Sequence, residues 1–197
     1  MSSGWSEKRL SLALNAASGA SSDFDLNPGV KVPEAPLRQA GVLAAFDKSE
    51  GRLILTKRAS GLRHHPGQIA LPGGKVDPGD ANAVAAALRE AHEEVGLDPA
   101  QVRVLGCLPP HRTVTGFSIT PVIGIIDGPF TPVPEAGEVQ EVFTLPFHHI
   151  SDPANYRIER RRWRGGWRSY HAAPFGPYYL WGATARILLG LAQRMHA

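Results

Sequence analysis

The chain has 197 residues, 43% of them hydrophobic, so it can bury one core, and it lacks the linker between two periodic regions that a second domain would require. Its formal net charge of +3 argues against a dedicated nucleic-acid binder and suits an anionic small molecule equally well. The single cysteine, Cys107, excludes an internal disulfide and a cysteine-rich zinc site, and its apolar neighbours predict an ordinary buried thiol.

Residues 1–36 are predicted to be an N-terminal appendage, partly helical or disordered, ahead of a main domain at residues 37–197. Residues 6–17 carry leucines that fit a short amphipathic helix, whereas residues 18–36 are rich in Ser, Gly, Pro and Asp, which is typical of loops. The start of the chain lacks an apolar run followed by a small-residue cleavage site, so we expect no secretory signal peptide. Since no apolar run reaches about 18 residues either, we expect no transmembrane helix and a cytoplasmic protein.

Strand and helix patterns alternate along the main domain. Short apolar runs predict strands at residues 40–46, 52–57, 68–71, 102–108, 118–126 and 140–145. Apolar residues at helical spacing predict helices at residues 81–95 and 179–195, and Gly96 stops the first of them. A hairpin that turns at Gly165 and Gly166 is predicted over residues 156–171. This order predicts an α/β fold in which a mixed β-sheet lies between helices.

The helix predicted at residues 81–95 carries the most informative chemistry. On a helical wheel one face is apolar and predicts a docked side, formed by Val84, Ala87, Leu88, Ala91 and Val95. Glu90 and Glu94 are four residues apart beside that face, so their carboxylates point to the same place at the edge of a buried interface. Glu93 lies on the adjoining side, within reach of Arg89.

These glutamates repel one another on an isolated helix. Like charges four residues apart cost a few tenths of a kcal/mol, and the helix dipole disfavours anions near the C-terminus. A divalent cation reverses both penalties, because Mg²⁺ prefers a few carboxylate oxygens together with water and substrate phosphates. A solvated acidic helix end is the alternative interpretation. The preceding Pro72, Gly73 and Gly74 favour the cation, since glycines allow a tight turn and the close approach of a ligand.

This region resembles the Nudix box, through Gly74, Asp80, Arg89, Glu90, Glu93, Glu94, Gly96 and Leu97. The stretch from Arg89 to Leu97 matches in full. Two departures lie before it: Asp80 stands where the family usually has glutamate, and residues 81–88 separate it from Arg89, one residue more than usual. The resemblance therefore supports a metal-binding helix, whereas Asp80 is expected to cap the helix N-terminus rather than to bind metal.

Similarity to the Nudix family implies an α/β/α sandwich and hydrolysis of a nucleoside diphosphate linked to another group. It implies Mg²⁺ or Mn²⁺ on Glu90 and Glu94, with Glu93 as a further ligand or as the base and Arg89 orienting Glu93. These four residues are the expected catalytic set. The metal would neutralise the diphosphate and lower the pKa of an attacking water. Further metal-ligand candidates are Gly74, Glu138 and Glu141.

A second resemblance points to the coenzyme A pyrophosphatase branch of this family. Its signature is similar to residues 55–59, followed at the expected gaps by Arg63, Gly67 and the 72–74 turn, with Leu71 in place of the usual Phe. The likeness continues through parts of residues 113–122, 138–146 and 179–185. It implies cleavage of coenzyme A, or a derivative, into 4′-phosphopantetheine and adenosine 3′,5′-bisphosphate. The substrate-binding residues expected on this basis are Lys57, Arg58, Arg63, Gly73 and Gly74.

Arginines crowd the predicted hairpin beside Trp163, Trp167 and Tyr170, namely Arg157, Arg160, Arg161, Arg162, Arg164 and Arg168. Basic residues interleaved with aromatic ones bind single-stranded nucleic acid in other proteins. An alternative of another class is therefore a nucleic-acid-binding module, and an alternative within the enzyme class is action on RNA 5′ ends. We favour a solvated hairpin whose aromatic rings face the core, so nucleic acid is not the expected partner.

The role of a histidine pair and the choice of substrate stay open at the level of the sequence. His64 and His65 fit an exposed polar loop or, less simply, a metal or phosphate contact. ADP-ribose and dinucleotides are alternative substrates, because loops without a fixed motif build the pockets that select them. The expected partner is a small nucleotide of the coenzyme A class rather than a membrane, and the chain is expected to be a monomer or a homodimer.

Overall fold

A computed structural model of the chain describes residues 4–17, 19–30, 35–62, 65–163 and 165–197. The helices are α1 (Glu7–Asn15), α2 (Ala83–Val95), α3 (Phe147–Ser151) and α4 (Ala183–Arg194). The strands are β1 (Ser21–Ser22), β2 (Arg38–Asp47), β3 (Leu53–Arg58), β4 (Ile69–Ala70), β5 (Gly73–Lys75), β6 (Val102–Cys107), β7 (His111–Arg112), β8 (Phe117–Ile126), β9 (Val139–Leu145), β10 (Arg157–Trp163), β11 (Gly166–Phe175) and β12 (Tyr178–Trp181). Strands β1 to β9 form one large sheet, and β10 to β12 form a separate antiparallel sheet.

The large sheet is mixed. Its central strands β2 and β8 run parallel over their whole length, from the pair Arg38 and Phe117 to the pair Asp47 and Ile126. Strand β3 pairs antiparallel with β2 and β9, and β5 pairs antiparallel with β2. The long parallel pairing of β2 with β8 is a contact between distant parts of the chain, and it brings the start of the main domain to its middle.

Helices cover both faces of this sheet. Because successive side chains of a strand point to opposite faces, the residues of β2 alternate between the two helical layers. Leu43 and Ala45 of β2 pack with α2 in one buried cluster. Ala44 and Phe46 face the other layer, where they join buried residues of the remaining helices, Leu10, Phe147, Ile150, Leu188 and Leu191. The predicted α/β sandwich with a mixed sheet between helices is therefore confirmed.

Helix α2 begins two residues later than the capping role predicted for Asp80 requires. The side chain of Asn82 accepts hydrogen bonds from the backbone N–H groups of Val84 and Ala85, at 2.9 and 3.0 Å. Asn82 is thus the N-cap, and the prediction that Asp80 caps the helix is wrong. At the other end, Gly96 adopts a left-handed conformation with a φ of 73° and ends the helix as predicted.

The close contact between α2 and β2 depends on Gly41. A methyl group added at Gly41 would lie 1.9 Å from the carbonyl oxygen of Ala83, a backbone atom that only a shift of the helix would move. We expect Gly41→Ala to lower the free energy of unfolding by at least about 2 kcal/mol, as overpacking of a rigid contact does. Urea unfolding measures this, with Gly61→Ala as the control, since an added methyl there meets nothing within 4 Å. Equal midpoints for the two variants would contradict the expectation.

The predicted N-terminal appendage packs against the main domain. Leu10 and Ala13 of α1 are fully buried in the larger core cluster. Glu7 accepts hydrogen bonds at 2.8 and 3.0 Å from Arg103 of β6, and β1 pairs parallel with β7. The helical part of the segment before residue 37 therefore belongs to the same packed body, while a domain boundary at this point stays a prediction.

The C-terminal helix is shorter than predicted. Residues 179–181, expected to be helical, belong to β12, which pairs with β11 through Ala172 and Trp181. Gly182, with a φ of 64° and a ψ of −136°, separates this strand from α4. Pairing with β11, the strand that directly precedes it in the chain, overrides the helical spacing here. In the described ranges, no helix combines the length and the apolar character that crossing a membrane requires.

Cys107 is exposed, so the prediction of a buried thiol is wrong. The pairing of β6 with β8 shifts its register between Val104 and Gly106. Such a bulge changes the face to which the following side chains point, and apolar neighbours in the sequence then no longer indicate burial.

Candidate active site

Two glycines of β5 bring the backbone against the carboxylates of α2. The N–H of Gly73 donates a hydrogen bond of 3.1 Å to Oε2 of Glu94. A methyl group added at Gly74 would lie 2.4 Å from Cδ and from Oε1 of Glu90. The glycine turn and the two glutamates predicted to share a ligand therefore meet, and only the absence of a side chain at Gly74 leaves room for Glu90.

Arg89 holds the acidic residues around it in place. Its Nη1 donates to Glu90 at 3.0 Å and to Glu93 at 2.9 Å, and its Nε and Nη2 donate to Asp80 at 3.0 and 2.9 Å. A guanidinium group suits this position, because its planar fork offers several donors at once. The hydrogen bonds with Asp80, above all, raise the pKa of Arg89, so it stays charged.

Asp80 therefore has a clear position in the site, although only a helix-capping role was predicted for it. Besides Arg89, its carboxylate accepts a hydrogen bond of 2.9 Å from the N–H of Asp77. The turn at residues 77–80 accommodates the additional residue before the helix and still delivers this carboxylate to Arg89. Despite the departure from the usual spacing, Asp80 therefore holds Arg89.

The two glutamates at the glycine turn are costly to ionise in the bare protein. Glu94 is 5% exposed, and its burial raises its pKa to about 7, against the hydrogen bond from Gly73 and the charge of Arg58. Burial also raises the pKa of Glu90, which is partly offset by Arg89. The negative charge of Glu138 raises both values further. A cation bound between these carboxylates would remove this penalty.

Arg58, another predicted substrate-binding residue, also lies close to these carboxylates. Its Nη1 is 3.8 Å from Oε1 of Glu94. Its Nε is buried and has no hydrogen-bond partner among the described residues, so it retains a donor for a ligand or a water. Lys57, the next residue back on β3, is absent from the described lining of the neighbouring cavity. Arg63 lies outside the described residues, as does His64.

The residues present fit a divalent cation held partly by water and substrate. Glu90 and Glu94 flank the glycine turn, whereas Glu93 is exposed and hydrogen-bonded to Arg89. In the described part of the chain, no three His, Cys, Asp or Glu side chains form a closed ligand cluster. Such an open arrangement suits Mg²⁺, which keeps several waters and binds through one or two carboxylates and substrate phosphates.

The two further carboxylates named as metal candidates differ in position. Glu138 is close enough to Glu90 and Glu94 for its charge to affect both. Glu141 instead accepts a hydrogen bond of 2.5 Å from the hydroxyl of Tyr178. Glu138, whose charge acts on both glutamates, is therefore a better candidate than Glu141 for an additional carboxylate at this site.

A cavity of about 600 Å³ opens beside the glycine turn. Arg58, Gly73 and Gly74 line it, as predicted for substrate-binding residues. Its wall also includes segments for which no substrate contact was predicted, contributed by residues 22–27, 113–117 and the hairpin with Arg161 and Arg168. The cavity therefore brings the glycine turn together with distant parts of the chain.

The N-terminal segment is tied into this wall by specific hydrogen bonds. Asn27 donates to the carbonyl of Ser169 and accepts from its N–H, both at 2.9 Å. Asp23 accepts from the N–H of Val114 at 2.9 Å and pairs with buried His111 at 3.1 Å. The Ser, Gly, Pro and Asp content of this segment indicated a loop and contained no sign of these partners.

The arginines of the hairpin lie in two different environments, the cavity wall and the surface of an aromatic ring. Arg161 and Arg168 line the cavity, whereas Arg160 and Arg162 lie over the ring of Trp167. Trp167 is 62% exposed, so the interpretation that the hairpin's aromatic rings face the core is wrong for this residue. The turn of a two-stranded hairpin extends beyond the layers that would bury it. Arg164 lies outside the described residues.

Comparison with known proteins agrees with this geometry. The family described as NUDIX domain matches residues 37–164. A relative from Enterobacter sp. (strain 638), named uncharacterized Nudix hydrolase NudL, is 44% identical over 159 residues, covering 80% of this chain and 83% of the relative. The protein of that name from Cronobacter sakazakii is 42% identical over 171 residues, covering 86% of this chain and 89% of the relative.

A solved structure shows the same fold. The crystal structure of a MutT/nudix family protein from Enterococcus faecalis aligns with a TM-score of 0.52 at 17% identity, over 86% of this chain and 66% of that chain. At this identity the likeness concerns the fold alone. The family match over most of the chain and the relatives above 40% identity carry the assignment. The chain therefore belongs to the NUDIX domain family, and it is an enzyme of the Nudix hydrolase type.

Proposed function

We propose that this enzyme uses a divalent cation to hydrolyse the diphosphate bond of coenzyme A or its derivatives, releasing 4′-phosphopantetheine and adenosine 3′,5′-bisphosphate. The observation that carries the proposal is the position of the glycine turn. Gly73 and Gly74 separate the carboxylates of Glu90 and Glu94 from a large cavity with a basic lining. A diphosphate at the turn would therefore meet a metal on one side and cationic side chains on the other.

Glu90 and Glu94 are the proposed metal ligands, with Glu93 as a further ligand or as the base and Glu138 as an additional carboxylate. When bound, Mg²⁺ or Mn²⁺ would neutralise the diphosphate and lower the pKa of the attacking water. The protein's own contribution is to orient these groups. The Gly73 N–H fixes one oxygen of Glu94, and Arg89 fixes Glu90 and Glu93.

Arg58 is the proposed contact for the diphosphate itself. It lines the cavity, lies 3.8 Å from Glu94 and has a buried Nε that lacks a partner among the described residues. Donors to a charged oxygen make short and strong hydrogen bonds, and an arginine can make two of them in parallel. A phosphate group at the glycine turn would therefore satisfy the unpaired donor and offset the charge of Arg58.

The coenzyme A assignment rests on the signature resemblance of residues 55–74 and on the basic cavity. Coenzyme A carries a diphosphate and a second phosphate on its ribose, so it is a longer and more anionic ligand than ADP-ribose. ADP-ribose, dinucleotides and RNA 5′ ends are the alternative substrates. The cytoplasmic location and the monomeric or dimeric state remain predictions.

Hydrolysis by the purified protein tests the proposed reaction. With Mg²⁺ or Mn²⁺ we expect coenzyme A to yield adenosine 3′,5′-bisphosphate, detected by chromatography, and we expect a chelator to abolish the product because the carboxylates need the cation. ADP-ribose, NADH and capped RNA serve as the competing substrates. Efficient turnover of any of these together with no cleavage of coenzyme A would refute the substrate assignment.

A further inference from the structure

Two arginines of the hairpin lie side by side in the wall of the cavity. Arg161 of β10 and Arg168 of β11 are directly opposite in the antiparallel register, so their side chains lie on the same face. Like charges in opposite positions destabilise a strand pair. Both side chains nevertheless line the cavity that reaches the glycine turn. Such a pair is favourable when an anion lies between or beside the two guanidinium groups.

No acidic side chain in the described ranges forms an ion pair with Arg161. The acidic residue on the same strand, Glu159, is already engaged, since it accepts from Arg157 at 2.6 Å and from the hydroxyl of Tyr179. Arg161 instead lies over the ring of Trp181, with its Cζ 4.2 Å from the ring centroid. This contact holds the guanidinium in place and leaves its hydrogen-bond donors in the plane of the group for another partner.

The lining of the cavity carries more cationic than anionic side chains, although Lys75 is paired with Asp77 outside it at 2.8 Å. Among its described lining residues, five side chains are cationic, Arg58, Lys75, Arg161, Arg168 and Arg186, and one carboxylate, Asp23, is present. That carboxylate is bonded to His111 and to the N–H of Val114. A volume of about 600 Å³ lies in the range of ligand sites in other proteins. The cavity therefore suits a ligand with anionic groups at both ends.

We propose that Arg161 and Arg168 form a second anion subsite, which binds the ribose phosphate of the substrate and thereby selects coenzyme A over analogues that lack this phosphate. The inference rests on the proposed function, with the diphosphate at the glycine turn and Arg58. It assigns the two arginines a role in specificity, because they contact a part of the substrate that does not react. Their effect should therefore appear mainly in KM.

The test compares coenzyme A with 3′-dephospho-coenzyme A, for the wild-type protein and for Arg161→Gln and Arg168→Gln. We expect the wild-type protein to favour coenzyme A in kcat/KM, and each variant to lower that value by about 10-fold, as the loss of a charged hydrogen bond does. For the dephosphorylated substrate we expect a loss of less than about 3-fold, because the lost contact is absent there. The matched control is Arg160→Gln, a neighbouring arginine that lies over Trp167 instead.

Equal losses for both substrates would overturn the proposal, and so would a control variant with the same selective loss. Thermal unfolding of each variant shows whether the fold is retained. If the wild-type protein cleaves neither substrate, the proposed reaction fails, and calorimetry then decides the subsite by itself. In that measurement Arg161→Gln should weaken binding of adenosine 3′,5′-bisphosphate about 10-fold and leave binding of adenosine 5′-monophosphate nearly unchanged. Equal weakening of both nucleotides would refute the subsite.

Discussion

Glu94→Gln is expected to lower kcat by more than about 100-fold, because even the groups that merely support metal ligands are worth 10- to 100-fold each. Glutamine keeps the size of the side chain and can still accept the hydrogen bond that Gly73 donates to the carboxylate. It removes the negative charge that a cation requires. Steady-state hydrolysis of coenzyme A at saturating Mg²⁺ measures the effect, and near-normal turnover would contradict the proposed role of Glu94.

The same variant is expected to gain stability relative to the wild-type protein as pH rises, when no divalent cation is present. Burial raises the pKa of Glu94 to about 7 from its ordinary value of 4.5. Because the folded protein holds this proton more tightly than the unfolded chain does, the wild-type protein loses stability as pH rises above 4.5, and the loss is complete above about 7. The difference between the two pKa values corresponds to about 3 kcal/mol of stability. The Glu94→Gln variant keeps this stability, because glutamine does not ionise.

Urea unfolding of both proteins in a chelating buffer, at about pH 5 and about pH 8, measures this linkage. Saturating Mg²⁺ at the higher pH should then stabilise the wild-type protein more than the variant, since the cation binds the ionised carboxylate. A stability difference that is the same at both pH values would contradict the buried, hard-to-ionise state of Glu94. This readout is independent of the substrate, so it tests the metal site separately from the coenzyme A assignment.

Gly74→Ala is expected to reduce kcat/KM by about 100-fold or more, because displacing a catalytic group by about an ångström has an effect of that size. The added methyl would lie 2.4 Å from Cδ and Oε1 of Glu90, so the carboxylate must move away from the turn. Since the carboxylate is the far end of a flexible side chain, the backbone keeps its position and the fold is retained. Hydrolysis rates should therefore fall while the urea midpoint stays nearly unchanged, and these two measurements check the prediction.

Neighbouring glycines provide the controls. An added methyl at Gly79 meets nothing within 4 Å, so Gly79→Ala should change neither quantity. At Gly73, whose φ is 151°, the methyl would lie 2.3 Å from the carbonyl oxygen of Gly41, so Gly73→Ala should destabilise the protein. Normal hydrolysis by Gly74→Ala, or a stability loss as large as that of Gly73→Ala, would contradict the proposed accommodation of Glu90.

Much of α2, the helix with the proposed metal ligands, follows from local spacing. The predicted apolar face is the one that packs on the sheet, with Ala87, Ala91 and Val95 buried. The same periodicity puts Glu90 and Glu94 at the edge of that interface, where Glu94 is buried and Glu90 partly so. A helix has a fixed rotation per residue, so its buried and exposed sides are determined within a few turns of sequence.

The structure changes the interpretation of Asp80 and of the arginine-rich hairpin. Asp80 differs from the usual residue and spacing, and neither fact reveals that its carboxylate reaches Arg89. Arg161 and Arg160 are adjacent arginines that the sequence does not distinguish. Only the strand register shows that Arg161 lines the cavity and Arg160 does not. In both cases the missing information is a partner several residues away, whose direction depends on the conformation of a turn.

The amino-acid sequence is sufficient to predict the family, the mixed sheet between helices and the carboxylates that would hold a cation, because each depends on short-range spacing. The cavity depends on packing between distant segments. Residues 22–27 reach its wall through the contacts of Asn27 with Ser169. Contacts of this kind join residues that are far apart in the chain, and no local pattern encodes which of them will meet. The helix that carries the proposed metal ligands is therefore a property of the sequence, whereas the basic cavity that would select the substrate is a property of the folded chain.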